Sequence, residues 1–219
     1  MIYTKKYEEP IFDMHEIIRY LGYKTPEYDI VKYTSDCIIE CCDILSYNVC
    51  YGEFPITITD NIVEFSCIKT ESKSLANHLK GCHKAIILGA TIGVELDRLI
   101  NKYGKISPIK GFVFQAIGAE RIEALCDAFC DDIKNNYPEY NLTPRFSPGY
   151  GDLSLSFQSD IFRILDCSKK IGLTLNKSLL MSPSKSVTAI IGITKEEIKK
   201  CDNSCNSCSK SLNCEFRRA

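Results

Sequence analysis

The sequence predicts an α+β fold, with a mixed, largely antiparallel twisted sheet and flanking helices. Segments with the 3.6-residue period of amphipathic helices are interspersed with short apolar or alternating runs typical of strands. Several strand-like runs follow one another with no helix between them, which favours antiparallel pairing. No internal repeat is present, and no obvious linker precedes residue 194. We therefore expect one domain over 1–194 and a cysteine-rich tail over 195–219.

The first half of the chain predicts three helices and a pair of strands. Residues 15–23 are typical of a short helix ending near Gly22, and residues 27–45 carry one apolar stripe. Strands are predicted over 54–58 and 61–66, where a short polar turn indicates a hairpin. A further helix over 72–82 ends at a glycine, which favours helix termination.

The second half begins with a buried strand, predicted from the apolar run 85–88. Gly89 and Thr91 then lead into a helix over 93–104, with Thr91 as its N-cap. A longer helix is predicted over about 109–136. The remaining predicted elements are a helix and two strands: 157–166, 173–181 and 186–193.

The charge balance argues against two classes of partner. The chain has 27 Lys and Arg against 28 Asp and Glu, so its net charge of -1 creates no field that favours nucleic acid or an anionic membrane. No apolar run approaches the roughly 18 residues that span a bilayer. The first residues contain lysines but lack the apolar region of a secretory signal. We expect a cytoplasmic protein with no nucleic-acid or membrane partner.

Residues 145–150, RFSPGY, combine three kinds of group that suit a small ligand. Arg145 is a permanent cation that grips a carboxylate with two hydrogen bonds. Gly149 lets a ligand approach the backbone, and Tyr150 offers a ring face and a hydroxyl. The combination fits a zwitterion bearing a positive centre and a flat base, as in S-adenosylmethionine. An ordinary surface turn is the alternative explanation.

The residues around this loop form an ordered series of motifs. After RFSPGY come GDLSLSFQSDIFRILD and IGLTLNKSLLMSPSKSVTAIIGI, with KAIILGATIG and IEALCDAF upstream. This series resembles the activation domain of cobalamin-dependent methionine synthase, most specifically over 141–193. The residues that carry the resemblance are Arg145, Gly149, Tyr150, Gly172, Leu175, Ser178, Met181, Pro183, Ser186 and Val187.

The resemblance implies the fold of that activation domain and a binding site for S-adenosylmethionine. It implies that Arg145 holds the methionine carboxylate and that the backbone near Ser147 and Gly149 lines the nucleoside. Tyr150 would face the approaching corrin and is the candidate catalytic residue. By looser correspondence, Asp131 would supply an acidic group from the long helix, although a solvated helix-face carboxylate is an equal alternative.

The sequence also departs from the full-length synthase. The substrate-binding modules and a D-x-H-x-x-G corrinoid motif are absent from the 219 residues. The resemblance therefore implies a stand-alone activation component, which binds S-adenosylmethionine and supports reductive methylation of cob(II)alamin. The cobalamin would lie on a separate methionine synthase or related corrinoid protein, with a flavodoxin or ferredoxin as electron donor.

Two other functions stay open. One is a small-molecule methyltransferase dependent on S-adenosylmethionine, although GATIG is too short for the G-x-G-x-x-G loop of a Rossmann fold. The other is a non-enzymatic module that docks on a corrinoid protein and carries a zinc-held tail.

The cysteines fall into two groups. Nine of the thirteen lie within 37–167 and are interpreted as small core hydrophobes. The tail has the spacing C-x3-C-x2-C-x5-C in a polar segment, formed by Cys201, Cys205, Cys208 and Cys214. Four thiolates are a full ligand set for an iron–sulfur cluster or for tetrahedral zinc. The tight spacing favours a cluster, which could pass an electron to cobalt, while zinc, redox thiols and an unstructured tail stay open.

Overall fold

The computed structural model describes residues 1–196, which contain nine strands and seven α-helices. The strands are β1 (Ile2–Tyr7), β2 (Tyr47–Thr59), β3 (Ile62–Phe65), β4 (Ile68–Glu71), β5 (Lys84–Thr91), β6 (Asn141–Leu142), β7 (Thr174–Leu175), β8 (Met181–Ser182) and β9 (Ser186–Thr194). The helices are α1 (Met14–Tyr20), α2 (Tyr28–Cys41), α3 (Lys73–His78), α4 (Glu95–Ile106), α5 (Pro108–Asn136), α6 (Phe157–Leu165) and α7 (Cys167–Ile171).

Seven strands of this part of the chain form one sheet in the order β4-β3-β2-β5-β9-β6, with β1 also paired with β2. Every pairing is antiparallel. The long strand β2 pairs with β1 along its first half and with β3 along its second half, while β5 occupies its other edge. Short strands β7 and β8 form a separate hairpin. The predicted α+β class with an antiparallel sheet is confirmed.

Helices cover both faces of the sheet. On β5, Ile86 and Leu88 belong to an apolar layer shared with α1, α2, α4 and α5. The alternate residues Ala85 and Ile87 belong to a second layer shared with α3, α6 and α7. Because successive side chains of a strand point to opposite faces, burial on both faces explains the unbroken apolar run that predicted this strand.

The six predicted helices correspond to α1 through α6, with ends shifted by a few residues. Local capping accounts for several of the observed starts. The side chain of Asp13 accepts a hydrogen bond from Glu16 N at the start of α1, and Ser72 caps α3 in the same way through Leu75 N. Pro108 occupies the first turn of α5, where its missing N–H costs nothing.

The predicted role of Thr91 is wrong. Thr91 is the last residue of β5, paired with Ser186 of β9, and it does not cap the next helix. Its Oγ1 accepts a hydrogen bond from Ser186 Oγ at 2.8 Å, and α4 starts after Val94. Thr91 stays extended because β9 continues alongside it, so tertiary pairing overrides the local capping preference.

Other differences concern strands with weak local patterns. Strands β1, β4 and β6 and helix α7 were not predicted, and β2 begins seven residues before the predicted 54–58 segment. The predicted strand 173–181 is instead the β7–β8 hairpin. Its turn is held by the Asn176 side chain, which accepts hydrogen bonds from the backbone of Ser178 and Leu180.

The interpretation of the nine cysteines within 37–167 is confirmed for the five that are buried: Cys37, Cys41, Cys50, Cys126 and Cys167. It is wrong for Cys67, which is exposed at the turn between β3 and β4. No helix within residues 1–196 is long and apolar enough to cross a membrane.

Candidate functional site

The RFSPGY loop is attached to the edge of the sheet. Phe146 forms a bridge with Ile190 of β9, since each residue's N–H donates to the other's carbonyl at 2.9 and 2.8 Å. Just before the loop, Thr143 N donates to Gly192 O at 3.0 Å. These bonds place residues 145–150 beside β9 and give the loop a defined position, as a binding segment requires.

The turn within the loop depends on Gly149. Its φ is +93°, a conformation that is strained for residues with a Cβ atom. Gly149 N donates to Leu153 O at 2.9 Å, and Tyr150 N donates to Ser147 O at 3.0 Å. A Cβ at Gly149 would meet only Leu155 Cδ1 at 3.6 Å, an ordinary contact. The glycine is therefore needed for its backbone conformation and not for space.

Asp152, two residues after the loop, ties it to α3. Its carboxylate accepts hydrogen bonds from Ser72 Oγ at 2.5 Å and from the backbone N of Lys73 and Ser74 at 3.0 Å. These bonds, led by that from Ser72, lower the pKa of Asp152 to about 2. Asp152 was not predicted as a functional residue, because its partners lie about 80 residues earlier in the chain.

Arg145 lies between two carboxylates of α5. Its Nη1 donates to Asp127 Oδ1 at 2.6 Å, and its Nη2 donates to Glu123 Oε2 at 2.7 Å. The Arg145 side chain is 22% exposed, whereas Glu123 and Asp127 are 47% and 69% exposed. Burial opposes the charge on Arg145, but the two carboxylates outweigh it and raise the pKa. The guanidinium is thus held in place, while the carboxylates have room to move.

Glu123 and Asp127 were missed by the sequence analysis, although both belong to the quoted IEALCDAF segment. Their spacing of four residues places them on one face of α5. Cys130 follows on the same side, with Sγ 3.8 Å from Arg145 Nη1. Burial raises the pKa of the Cys130 thiol, so it stays protonated at neutral pH.

A cavity of about 460 Å³ lies over this ion-pair cluster. The loop contributes Arg145, Ser147 and Tyr150 to its wall, and α5 contributes Glu123 and Asp127. The structure therefore brings three of the predicted site residues to one cavity. This volume lies within the range of roughly 300–1,000 Å³ found for small-molecule sites.

A second cavity of about 550 Å³ lies on the other side of Ser147. It is lined largely by apolar residues, among them Leu155, Leu179, Leu180 and Met181. Ser147 and Val187 border both cavities, so the two adjoin. Together they form a groove with a charged end at Arg145 and an apolar end near the β7–β8 hairpin.

Asp131 does not join Arg145. It lines a third depression of about 340 Å³, between α5 and the segment before α1, together with Asp13 and Glu16. Glu123 and Asp127 border both this depression and the Arg145 cavity, so they lie between the two. The carboxylates closest to the predicted anion-binding arginine are therefore Glu123 and Asp127, and the role of Asp131 stays a prediction.

Tyr150 lies at the rim of the groove and is 57% exposed. Its ring packs edge-on against Phe146, with centroids 5.9 Å apart, and Phe146 packs in turn against His78 at 4.9 Å. His78 Nε2 lies 2.8 Å from Pro144 O, and burial lowers the pKa of His78, so the neutral ring donates this bond. Phe146, which itself contacts His78, thus packs against one side of Tyr150 and leaves its other side exposed to solvent.

The four predicted metal ligands, Cys201, Cys205, Cys208 and Cys214, lie outside the described residues. Within residues 1–196, no group of three or more His, Cys, Asp or Glu side chains could hold a metal ion. The cluster and zinc alternatives for the tail stay predictions, as does the domain boundary at 194.

Solved structures with a similar fold are known. No protein-family model matches the chain, and no curated protein matches it. Among solved structures, the crystal structure of the MetH reactivation domain bound to AdoHcy matches with a TM-score of 0.66 at 13% sequence identity. The match covers 88% of this chain and 78% of that one. The resemblance expected from the motifs is therefore confirmed at the level of the fold: this chain is folded like the MetH reactivation domain.

Proposed function

We propose that this protein binds S-adenosylmethionine in the groove beside residues 145–150 and supports the reactivation of a separate corrinoid protein. The first support is the fold, because the solved structure that it resembles is bound to AdoHcy. Because one fold can carry many activities, the second support is the chemistry of the residues that line the groove.

The observation that carries the proposal is the arrangement of Arg145 between Glu123 and Asp127. An α-amino acid group has a carboxylate and an ammonium close together. The carboxylate would accept two parallel hydrogen bonds from the Arg145 guanidinium, while the ammonium would donate to Glu123 and Asp127. Binding would then exchange one set of ion pairs for another and leave neither charge of the amino-acid group unpaired.

The adjoining apolar cavity suits the nucleoside portion of the same ligand. Its walls of leucine and methionine side chains would cover a flat base, and Ser147 lies at the junction between the two cavities. One ligand with a zwitterionic end and an aromatic end would therefore occupy both parts of the groove.

The reaction that we propose transfers the sulfonium methyl group to cobalt with consumption of one electron, leaving S-adenosylhomocysteine. The described residues of this chain would act by positioning the donor and excluding water. No general acid or base is needed, and Tyr150 at the exposed rim would contact the incoming corrin. The partner would be a corrinoid-binding protein or a split methionine synthase, supplied by a flavodoxin or ferredoxin. A cluster held by the tail cysteines is part of the proposal.

The decisive experiment measures methyl transfer to cobalamin on a partner protein. The protein would be incubated anaerobically with a reductant, methyl-labelled S-adenosylmethionine and a cob(II)alamin-loaded methionine synthase that lacks its own activation domain. We expect label to appear in methylcobalamin with the wild type and with Arg98→Ala, a distant exposed arginine, but not with Arg145→Ala. Labelling of a small molecule with no corrinoid requirement would contradict the proposal and favour an ordinary methyltransferase.

A further inference from the structure

Gln158, near the start of α6, is a buried polar residue whose side-chain oxygen lacks a hydrogen-bond donor within residues 1–196. The residue is 4% exposed. Most buried polar atoms in folded proteins are paired, because an unpaired one loses its hydrogen bonds to water and gains none in return. A glutamine retained in such a place suggests a polar partner that comes from outside the chain.

The position of Gln158 indicates where that partner would lie. Gln158 lines the apolar cavity of about 550 Å³, which also contains Leu179, Leu180 and Met181. Its backbone is fixed at the first turn of α6, where Gln158 N donates to Leu155 O at 3.1 Å. The neighbouring buried residues of α6, Phe157 and Ile161, pack into the apolar core on the same side of the sheet. A single carboxamide thus borders a compartment whose other lining residues are apolar or carry only a hydroxyl group.

We propose that Gln158 recognises the adenine base of the ligand and determines the preference of the groove for that base. This inference rests on the proposed binding of S-adenosylmethionine and assigns its base end. A glutamine carboxamide pairs with adenine through two hydrogen bonds, accepting from the exocyclic amino group and donating to a ring nitrogen. Such a pairing would require the carboxamide to turn both its oxygen and its nitrogen toward the cavity.

The chemistry of the compartment matches this occupant. A flat aromatic base would lie between leucine side chains, and the Met181 thioether makes favourable contacts with aromatic rings. An apolar pocket alone distinguishes bases poorly, whereas a site built to hydrogen-bond a ligand group strongly rejects an analogue that lacks it. Gln158 would supply that selectivity as the one carboxamide among the apolar and hydroxyl residues that line the cavity.

Placing the adenine base beside Gln158 is also consistent with the amino-acid end of the ligand lying beside Arg145. The Arg145 cavity and the Gln158 cavity meet at Ser147 and Val187. The amino-acid end of the ligand would lie on the Arg145 side of Ser147, and the base on the Gln158 side. The two ends would therefore be recognised by residues from different elements, the loop with α5 at one end and α6 at the other.

The test is a double-mutant cycle between the protein and the base. Calorimetry would measure the affinities of S-adenosylhomocysteine and of its analogue lacking the 6-amino group, for wild type and for Gln158→Met, which has a similar size and no amide. For the wild type we expect the analogue to bind about tenfold or more weakly, the scale of one good pairing to a base. For Gln158→Met we expect equal affinities for the two ligands. Gln115→Met, at an exposed position of α5, is the matched control and should behave as wild type.

A structural role for Gln158 would give a different pattern. If the amide only supported the fold, Gln158→Met would lower the melting temperature and weaken both ligands equally. We expect instead an unchanged or higher melting temperature without ligand, since the variant removes an unpaired buried group. Equal binding of both ligands by the wild type, or the same discrimination by Gln158→Met, would overturn the assignment of the base. No binding of S-adenosylhomocysteine by the wild type would instead contradict the proposed function on which it rests.

Discussion

Replacing Arg145 with alanine is the most direct perturbation of the groove. In the free protein, Arg145 neutralises Glu123 and Asp127 from a largely buried position. The substitution removes the group expected to hold the ligand carboxylate and leaves two carboxylates facing the cavity, which would repel it. Loss of one partner in a buried charged contact costs about 2–5 kcal/mol. That range corresponds to a loss in affinity from about 30-fold to more than 1,000-fold.

Anaerobic calorimetric titration of S-adenosylmethionine would measure this loss. Arg145→Lys should give an intermediate affinity, because lysine keeps the charge but not the planar fork that binds a carboxylate with two bonds. The control is Arg98→Ala, whose guanidinium is 69% exposed and forms an ion pair with Glu95 on α4. Wild-type affinity in Arg145→Ala would refute the assignment of the carboxylate to this residue. An equal loss in Arg98→Ala would show that the effect is not local.

Three further predictions concern the residues around Arg145. The double variant Glu123→Gln and Asp127→Asn should bind S-adenosylmethionine about tenfold more weakly, the scale of one charged hydrogen bond. It should bind an analogue without the amino group at least as tightly as the wild type does, because the two carboxylates no longer compete for Arg145. Calorimetry with both ligands would check this, and equal weakening of both would contradict it. Gly149→Ala should lower the free energy of unfolding by about 1–2 kcal/mol because φ is +93°. Gly104→Ala in α4, where an added Cβ meets no atom within 4 Å, should raise it and serves as the control. Urea unfolding would compare the two variants, and an unchanged stability in Gly149→Ala would contradict the strain argument. Because the pKa of Asp152 is lowered to about 2 in the folded protein, its stabilising effect is present above the unfolded-state pKa of about 4 and is lost as the pH falls toward 2. Asp152→Asn should therefore be less stable than wild type at neutral pH, with the difference in melting temperature shrinking below pH 4, and a constant difference at every pH would contradict this.

The helices and the central strands were predictable because their signals are local. The predicted 109–136 helix is α5 (Pro108–Asn136), and the predicted 186–193 strand is β9 (Ser186–Thr194). Burial of one helix stripe, or of both faces of a strand, leaves a pattern within a few residues of sequence. Strand β1 was not predicted because it has no alternating burial pattern: only its two end residues are partly buried, and its four central residues are exposed. Its extended conformation comes from pairing with β2, about 45 residues away.

The sequence by itself determined the chemistry of the loop, because an arginine, a glycine and a tyrosine at fixed spacing already limit the kind of ligand that can bind there. Only the tertiary structure decided what the loop faces. Pairing of Phe146 with Ile190 and the hydrogen bonds that Asp152 accepts at the start of α3 set its position. The packing of α5 then places Glu123 and Asp127, and not Asp131, beside Arg145. The physical reason is that backbone preferences and burial patterns act over a few residues, whereas the choice of which helix face meets which loop depends on strand pairing and core packing across the whole sheet.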